Sequence, residues 1–346
     1  MSPPVPDTRL EHLTNWLHAL PIELGLHPDS LTAVSGDASF RRYFRIQAHE
    51  GSRIVMDAPP PHENCAPFID VARRLAGAGL IVPTIFAHDA GQGFLLLSDL
   101  GNHTYLQAIQ TGLGDPSLQQ RYRAALRALV QMQQTPHQGL PAYDQARLLD
   151  ELSLFPHWYL QVHLGVVPDE TQQAMLQQTF LHLAQDAARQ PRVFVHRDFH
   201  SPNLMIGAEA HDAPPGIIDF QDAVHGPLSY DIASLVMDAR TTWDETQQLD
   251  WAIRYWQAAR DAQLPVPPDF AEFHQQYEWM GLQRNLRILG VFARLSHRDG
   301  KHHYLDHMPR VRGYVRQVAG RYRVFHPLLR LLDQAEQVQA ADGYSF

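Results

Sequence analysis

The chain has 346 residues, 45% apolar and 19% charged, with 25 Pro and 21 Gly, the make-up of a folded globular protein and not of a disordered or fibrous one. Lys and Arg total 28 against 37 Asp and Glu, a net charge of −9, so counterion release gives no drive toward DNA or RNA and no nucleic-acid partner is expected. A single Cys (Cys65), no apolar run of the roughly 18–20 residues that span a bilayer, and a first segment without basic or apolar signal character predict a cytoplasmic protein off the membrane.

The first hundred residues read as five short strands around one helix. Leu31–Val34, Phe40–Ile46, Arg53–Asp57, Thr84–His88 and Phe94–Ser98 are rich in β-branched or aromatic residues and bounded by Gly, Asp or Pro. Asp89 to Gly93 reads as a hairpin turn. Between the third and fourth strands, Phe68, Val71, Leu75 and Ala78 recur at helical spacing, with Gly79 as the stop.

Beyond Gly101 the pattern turns mostly helical. Asp115-Pro116 predicts a helix entrance with Asp at the N-cap, and Leu118, Tyr122, Ala125, Leu129 and Met132 mark its apolar face. Thr171–Arg189 predicts a second helix, and others are expected at 243–262, 270–297 and 326–340. Two short apolar runs, Val193–Val195 and Gly216–Ile218, read as buried strand fragments that deliver loops. The boundary between the two parts falls at 98–102.

Those loops carry the chemistry. His196-Arg197-Asp198-Phe199-His200-Ser201-Pro202-Asn203 follows the first run, and Asp219 follows the second. A carboxylate that orients a hydroxyl and takes its proton, plus a carboxylate and an amide oxygen that hold Mg²⁺, is what phosphoryl transfer asks of a protein. The spacing of His196 and His200 does not predict zinc, because no Glu follows and a loop does not align the two rings. Asp231, at the start of a predicted helix, reads as an anchor for the loop, and His196 as its support.

This constellation resembles the protein-kinase-like fold in the branch of aminoglycoside phosphotransferases and related small-molecule kinases. His200, where protein kinases carry Lys, and the run Ile218-Asp219-Phe220-Gln221-Asp222-Ala223 are similar to that branch. Gly36–Arg45, Val55–Pro60 and Gly281–Leu286 resemble the bacterial cell-wall-recycling kinases of amino sugars. The resemblance implies an α+β bilobal fold, with a β-rich nucleotide-binding lobe over 1–98, a helical catalytic lobe over 99–346 and a hinge near 98–101. It also implies ATP and Mg²⁺ as cofactors and the anomeric hydroxyl of N-acetylmuramate or N-acetylglucosamine as acceptor. Asp198 is then the catalytic residue, and Asn203 and Asp219 are the metal ligands. His200, Asp222 and Arg284 are the substrate contacts. Oligomeric state is not legible.

Two features depart from that family. The loop before the second strand has one Gly, so Ser35, Gly36, Asp37 and Ser39 are the candidates for capping phosphate oxygens. The strand expected to carry the phosphate-binding Lys has Met56 instead. Arg41, Arg42 and Arg45 are the candidate replacements, with Arg41 and Arg45 on one face and Arg42 on the other, and which face looks toward nucleotide stays open. Leu97 and Asp99 are the hinge candidates for adenine, Phe86 and Phe94 read as core, and Cys65 as inert. On the predicted helix at 270–297, Arg284, Arg287 and Arg294 fall within ~80° of one another, opposite a leucine face. Arg284 is the candidate for the lactyl carboxylate.

Overall fold

In the computed structural model, which describes residues 7–34, 40–60, 62–112, 114–207 and 212–336, alternating apolar residues build one five-stranded antiparallel sheet. Its strands are β1 (Leu26–Val34), β2 (Arg42–Ala48), β3 (Gly51–Asp57), β4 (Ile85–Asp89) and β5 (Phe94–Ser98), in the order β1-β2-β3-β5-β4. The candidates Ser35, Gly36, Asp37 and Ser39 lie outside the described residues. A hairpin joins β4 to β5 as expected, and Gly93 closes it with φ +77°, where a Cβ would meet the Ala58 carbonyl oxygen at 2.0 Å.

Successive side chains on a strand point to opposite faces, and the two faces of this sheet have different partners. Phe44, Ile46, Val55, Phe94 and Leu96 pack outward against Leu13 and Leu17 of α1 (Thr8–Ala19). Met56, Leu95 and Leu97 pack inward, with α2 (Ala66–Gly77), into a core continuous with the helical remainder. Helix α1 was not among the expected elements. Its signal is present in Leu10, Leu13 and Leu17 at helical spacing behind the N-cap Asp7, whose carboxylate accepts the Leu10 N–H. Burying Leu13 and Leu17 is worth about 1.5–3 kcal/mol each.

The arginines of β2 now take sides. Arg42 faces α1: with Arg9 it grips the fully buried Asp57 carboxylate (2.7 Å each), and it reaches Asp7 at 2.5 Å. Its placement among the nucleotide residues is therefore corrected, since the whole sheet separates it from the inner face. Arg41 and Arg45 share the parity of Tyr43, which packs on the inner core. Phe86 is also corrected from core to surface: it sits at an irregularity on the edge strand β4, 41% exposed, with the Arg53 guanidinium 4.7 Å above its ring.

The remainder is mostly helical. After α3 (Tyr105–Gln110) come α4 (Asp115–Gln133), α5 (Gln145–Leu152), a π-helical turn at Phe155–His163 and α6 (Glu170–Arg189). Gly114, not Asp115, is the N-cap of α4, and Pro116 keeps its place in the first turn. Two small ribbons follow: β6 (Arg192–Val195) pairs with β9 (Val224–Pro227), and β7 (Leu204–Met205) pairs with β8 (Gly216–Ile217). The two apolar runs thus belong to separate ribbons and are not paired with each other. Helices α7 (Tyr230–Val236), α8 (Glu245–Asp261), α9 (Phe270–His297), α10 (Met308–Arg321) and α11 (His326–Ala335) complete the chain, with α3, α5 and α10 unforeseen.

Helix α9 is the axis of this part. Helices α5 to α8, α10 and the π-helical turn all pack on it, so it has buried residues on every side. The expected split into a leucine face and an arginine face therefore gives way to a buried Arg284, with Arg287 and Arg294 partly buried. No described helix is long and apolar enough to cross a membrane.

Candidate active site

The loop from β6 to β7 carries Asp198 and Asn203, and its shape is imposed by buried carboxylates. Asp231, fully buried at the start of α7, accepts the backbone N–H groups of His196 (2.7 Å) and Arg197 (2.9 Å). This is the anchoring role expected of it. Arg197 consequently adopts φ +78°, a conformation that a non-glycine residue holds only where its surroundings enforce it. Asp238 fixes the far end of the loop by accepting the backbone N–H (3.1 Å) and the hydroxyl of Ser201.

His196 ties this loop to the next. Its Nδ1 accepts the Asp198 N–H (3.3 Å), which leaves the ring proton on Nε2, facing the Ile218 carbonyl at 3.1 Å. One residue on, Asp219 has φ +64°, and Phe220 is buried with its ring 4.8 Å from Phe68 of α2. The strained residue is thus held between a histidine clamp and an aromatic pair, which points its carboxylate back at the loop that carries Asp198 and Asn203. Asn203 Nδ2 donates to the Asp198 carbonyl (2.9 Å) and lies 3.3 Å from Asp219 Oδ2. The three residues expected to act together are together.

The donor set fits a magnesium ion. With Nδ2 of Asn203 spent on protein oxygens, its Oδ1 is the atom left for a cation, beside the Asp219 carboxylate. Burial and the nearby Asp198 carboxylate push the Asp219 pKa up, the expected response of a buried carboxylate beside another. Among the described residues, no three or more His, Cys, Asp or Glu side chains are placed to hold a metal ion by themselves. Magnesium does not need one, because water and phosphate oxygens fill most of its six positions.

Around Asp198 the charge is positive. Burial alone raises its carboxyl, but neighbouring positive charge outweighs burial and holds it at about 2. His200 Nε2 stands 3.8 Å from the carboxylate, yet burial drops this histidine to about 4, so near neutrality the lowering falls to Arg287, Arg284 and Arg197. Glu151 of α5 pairs with Arg197 (2.6 Å) and Arg287 (3.0 Å) and accepts the Tyr143 hydroxyl. Arg284, 3% exposed, is different: its Nε and Nη1 have no hydrogen-bond partner in the described structure. Both polar atoms of Gln283 and Nδ1 of His200 are likewise buried without partners.

The remaining candidates divide. Asp222 is exposed beside Gln221, whose side-chain amide donates to Asp219 at 2.9 Å. Leu97 lies inside the sheet, opposite Ile54 and Ile85, with its side chain buried. Asp99 and Arg45 are spent on each other in a two-pronged pair at 2.5 and 3.1 Å, and Asp99 also accepts Ser52 and the Gly101 N–H. Cys65 is buried with its thiol pKa pushed up, first by burial, in keeping with an inert side chain. Glu151, Tyr143 and Asp238 were not foreseen, because each meets the loops through the fold and not through a local motif.

The sequence profile of the phosphotransferase enzyme family matches residues 30–275, from the first strand to the start of α9. The chain belongs to the phosphotransferase enzyme family. Within it, the chain is 45% identical to the N-acetylmuramate/N-acetylglucosamine kinase of Pseudomonas aeruginosa over 323 residues, 91% of this chain and 93% of that protein. The protein of the same name from Pseudomonas putida is 44% identical, covering 92% of this chain and 94% of its own. In three dimensions, an ethanolamine kinase from Plasmodium vivax superposes with a TM-score of 0.61 at 10% identity, over 89% of this chain and 87% of that one. That likeness shows the fold alone. Expectation and observation agree on the α+β kinase-like architecture, a small antiparallel sheet followed by a helical body, and this phosphotransferase is a kinase.

Proposed function

We propose that the chain transfers the γ-phosphoryl group of ATP to the anomeric hydroxyl of N-acetylmuramate and N-acetylglucosamine. The observation that carries the reading is identity above 40% over nine-tenths of the chain to kinases named for those two sugars, joined to loops in which the Asn203 amide bridges the Asp198 backbone carbonyl and the Asp219 carboxylate. Phosphoryl transfer needs little covalent help, so positioning and charge neutralisation do most of the work.

Asp198, ionised and about a third exposed at 36%, is open to an incoming hydroxyl. It orients that hydroxyl and accepts its proton as the oxygen attacks phosphorus. Asn203 and Asp219 hold Mg²⁺, which when bound offsets the negative charge of the phosphates. Arg284 supplies acceptor selectivity: a buried guanidinium with unpartnered nitrogens beside Asp198 is suited to the lactyl carboxylate of N-acetylmuramate. The sheet and residues 99–346 act as two lobes that close on nucleotide about the segment near 98–101. A donor of this kind places the reaction in the cytoplasm.

A panel of acceptors tested with ATP and Mg²⁺ for ADP release decides the reading. Turnover with the two amino sugars and none with choline, ethanolamine, homoserine or an aminoglycoside is the expected result. Turnover with the amines and not the sugars overturns the acceptor. Absence of turnover with every acceptor, despite nucleotide binding, overturns the enzyme.

A further inference from the structure

Residues 237–244, between α7 and α8, form neither helix nor strand, yet Asp238, Ala239 and Thr241 are buried. A buried stretch of irregular backbone has no ladder to satisfy its polar groups and must find partners elsewhere. Helix α10 supplies them. Arg310 Nη1 donates to the Ala239 carbonyl at 2.8 Å, and its Nε donates to the Thr242 hydroxyl. The Tyr314 hydroxyl donates to the Thr241 carbonyl at 2.9 Å. Arg310 and Tyr314 are one helical turn apart on α10, so a single helix face grips residues 239, 241 and 242.

The gripped segment in turn holds the loop that carries Asp198. Asp238 accepts the Arg240 N–H (2.9 Å) on one carboxylate oxygen, and the N–H (3.1 Å) and hydroxyl of Ser201 on the other. Ser201, fully buried, opens the short turn that ends in Asn203. The residue before it, His200, donates its N–H to the Asp198 carbonyl at 3.0 Å, and Asn203 donates its own N–H to the His200 carbonyl at 2.9 Å. Hydrogen bonds and adjacent residues thus run without a gap from Arg310 to Ala239, Asp238, Ser201, His200 and Asp198. Arg316, also on α10, takes no part in this series: it pairs with Asp333 (2.5 Å) and Glu336 (2.9 Å) at the end of α11.

We propose that Arg310 is a positioning residue for phosphoryl transfer, setting the loop of Asp198 through residues 239–242, Asp238 and Ser201. The inference rests on the reading of Asp198 as the proton acceptor. Without the guanidinium, the buried Ala239 carbonyl loses its partner, a cost the segment relieves by shifting. Asp238, the next residue, shifts with it. Asp231 still anchors the loop at His196 and Arg197, and the bonds among 198, 200 and 203 are local to the loop. The loop therefore keeps its form while its far end moves. A displacement of that kind acts on the rate of the chemical step, because reacting groups misplaced by about 1 Å lose on the order of 10²-fold.

The test joins steady-state kinetics to amide hydrogen exchange over residues 196–203 of the whole protein without substrates. Arg310→Gln is expected to lower kcat at least about 5-fold with the KM for ATP within about 2-fold, and to speed that exchange at least about 5-fold. Arg310→Lys, which keeps a donor for the Ala239 carbonyl, restores most of both. Ser201→Ala also lowers kcat, and the double variant falls short of the product of the single effects by at least about 2-fold. Arg316→Gln loosens α11 and lowers Tm but leaves kcat and the exchange of 196–203 unchanged. Exchange unaltered by Arg310→Gln overturns the proposal whatever the acceptor, since neither nucleotide nor sugar enters that measurement. Faster exchange with unaltered kcat overturns it through the reading of Asp198 on which it rests. A lysine variant no better than glutamine, additive losses with Ser201→Ala, or the same kcat loss in Arg316→Gln also overturns it. If Arg310→Gln does not fold, Tyr314→Phe, which removes only the bond to Thr241, is expected to move both readouts in the same direction, and no movement contradicts the role.

Discussion

The side-chain nitrogen of Asn203 donates to the backbone oxygen of Asp198 at 2.9 Å. One short bond thereby sets the distance between the two residues proposed as proton acceptor and metal ligand, and it orients the amide so that oxygen, not nitrogen, is left for a cation. Asp198→Asn keeps the shape of the loop and removes the group that takes the proton. The expected outcome is a kcat lower by about 10²–10⁴-fold with MgADP affinity within about 2-fold of wild type. Steady-state kinetics and calorimetry check it, and near wild-type turnover contradicts the assigned role.

Asp219→Asn removes the charged metal ligand but retains its volume. The Mg²⁺ concentration for half-maximal rate is expected to rise at least about 10-fold, and chelation abolishes activity of the unaltered protein. A Mg²⁺ titration at saturating ATP reads both effects.

Arg284→Gln separates the two sugars. Losing the guanidinium raises the KM for N-acetylmuramate at least about 10-fold, while N-acetylglucosamine, which has no carboxylate, shifts less than about 3-fold. Equal losses on both sugars assign Arg284 to the fold instead.

The acid limb of stability follows from two depressed groups. Asp198 at about 2 and His200 at about 4 both bind fewer protons folded than unfolded, since their unfolded values are about 3.9 and 6.5. The His200 share of stability therefore rises with pH from about 4 to 6.5, against the opposite slope of buried Asp231, raised to about 6, and the Asp198 share is lost as pH falls from about 4 toward 2. Thermal unfolding of His200→Gln is expected to lack this gain, so that the difference in Tm between wild type and variant changes in the variant's disfavour as pH rises from about 4 to 6.5. The pH profile of kcat/KM has no limb from either group between about 5.5 and 8.

Gly290 of α9 is a purely structural control. A Cβ there would lie 2.5 Å from the carbonyl carbon of Leu154, just ahead of the π-helical turn. Gly290→Ala is expected to cost about 1–3 kcal/mol, read as a lower Tm, without a selective change in the KM of either substrate.

What was legible in the sequence was what the chain encodes locally. Asp198, Asn203 and Asp219 sit in two loops bounded by apolar strand fragments, and the edges of β5 and α6 follow their own patterning. Faces were another matter. Alternation separates Arg41 and Arg45 from Arg42, but only the docking of α1, with Arg9 and Arg42 sharing Asp57, tells which face is turned away from the helical body. Glu151 lies 46 residues before Arg197, so no spacing announces that it balances two of the three arginines around Asp198. The helical period placed Arg284 on a stripe, and packing around α9, not the period, made it a buried group whose Nε and Nη1 have no hydrogen-bond partner among the described residues.

The most direct test of the whole account is the position of the new phosphate. Product formed from N-acetylmuramate and ATP, examined by phosphorus NMR with coupling to the sugar protons, is expected to carry one phosphate on C1, made by the unaltered protein and not by Asp198→Asn. A phosphate on any other oxygen or on an amine, or C1 product made equally fast by the Asp198 variant, contradicts it.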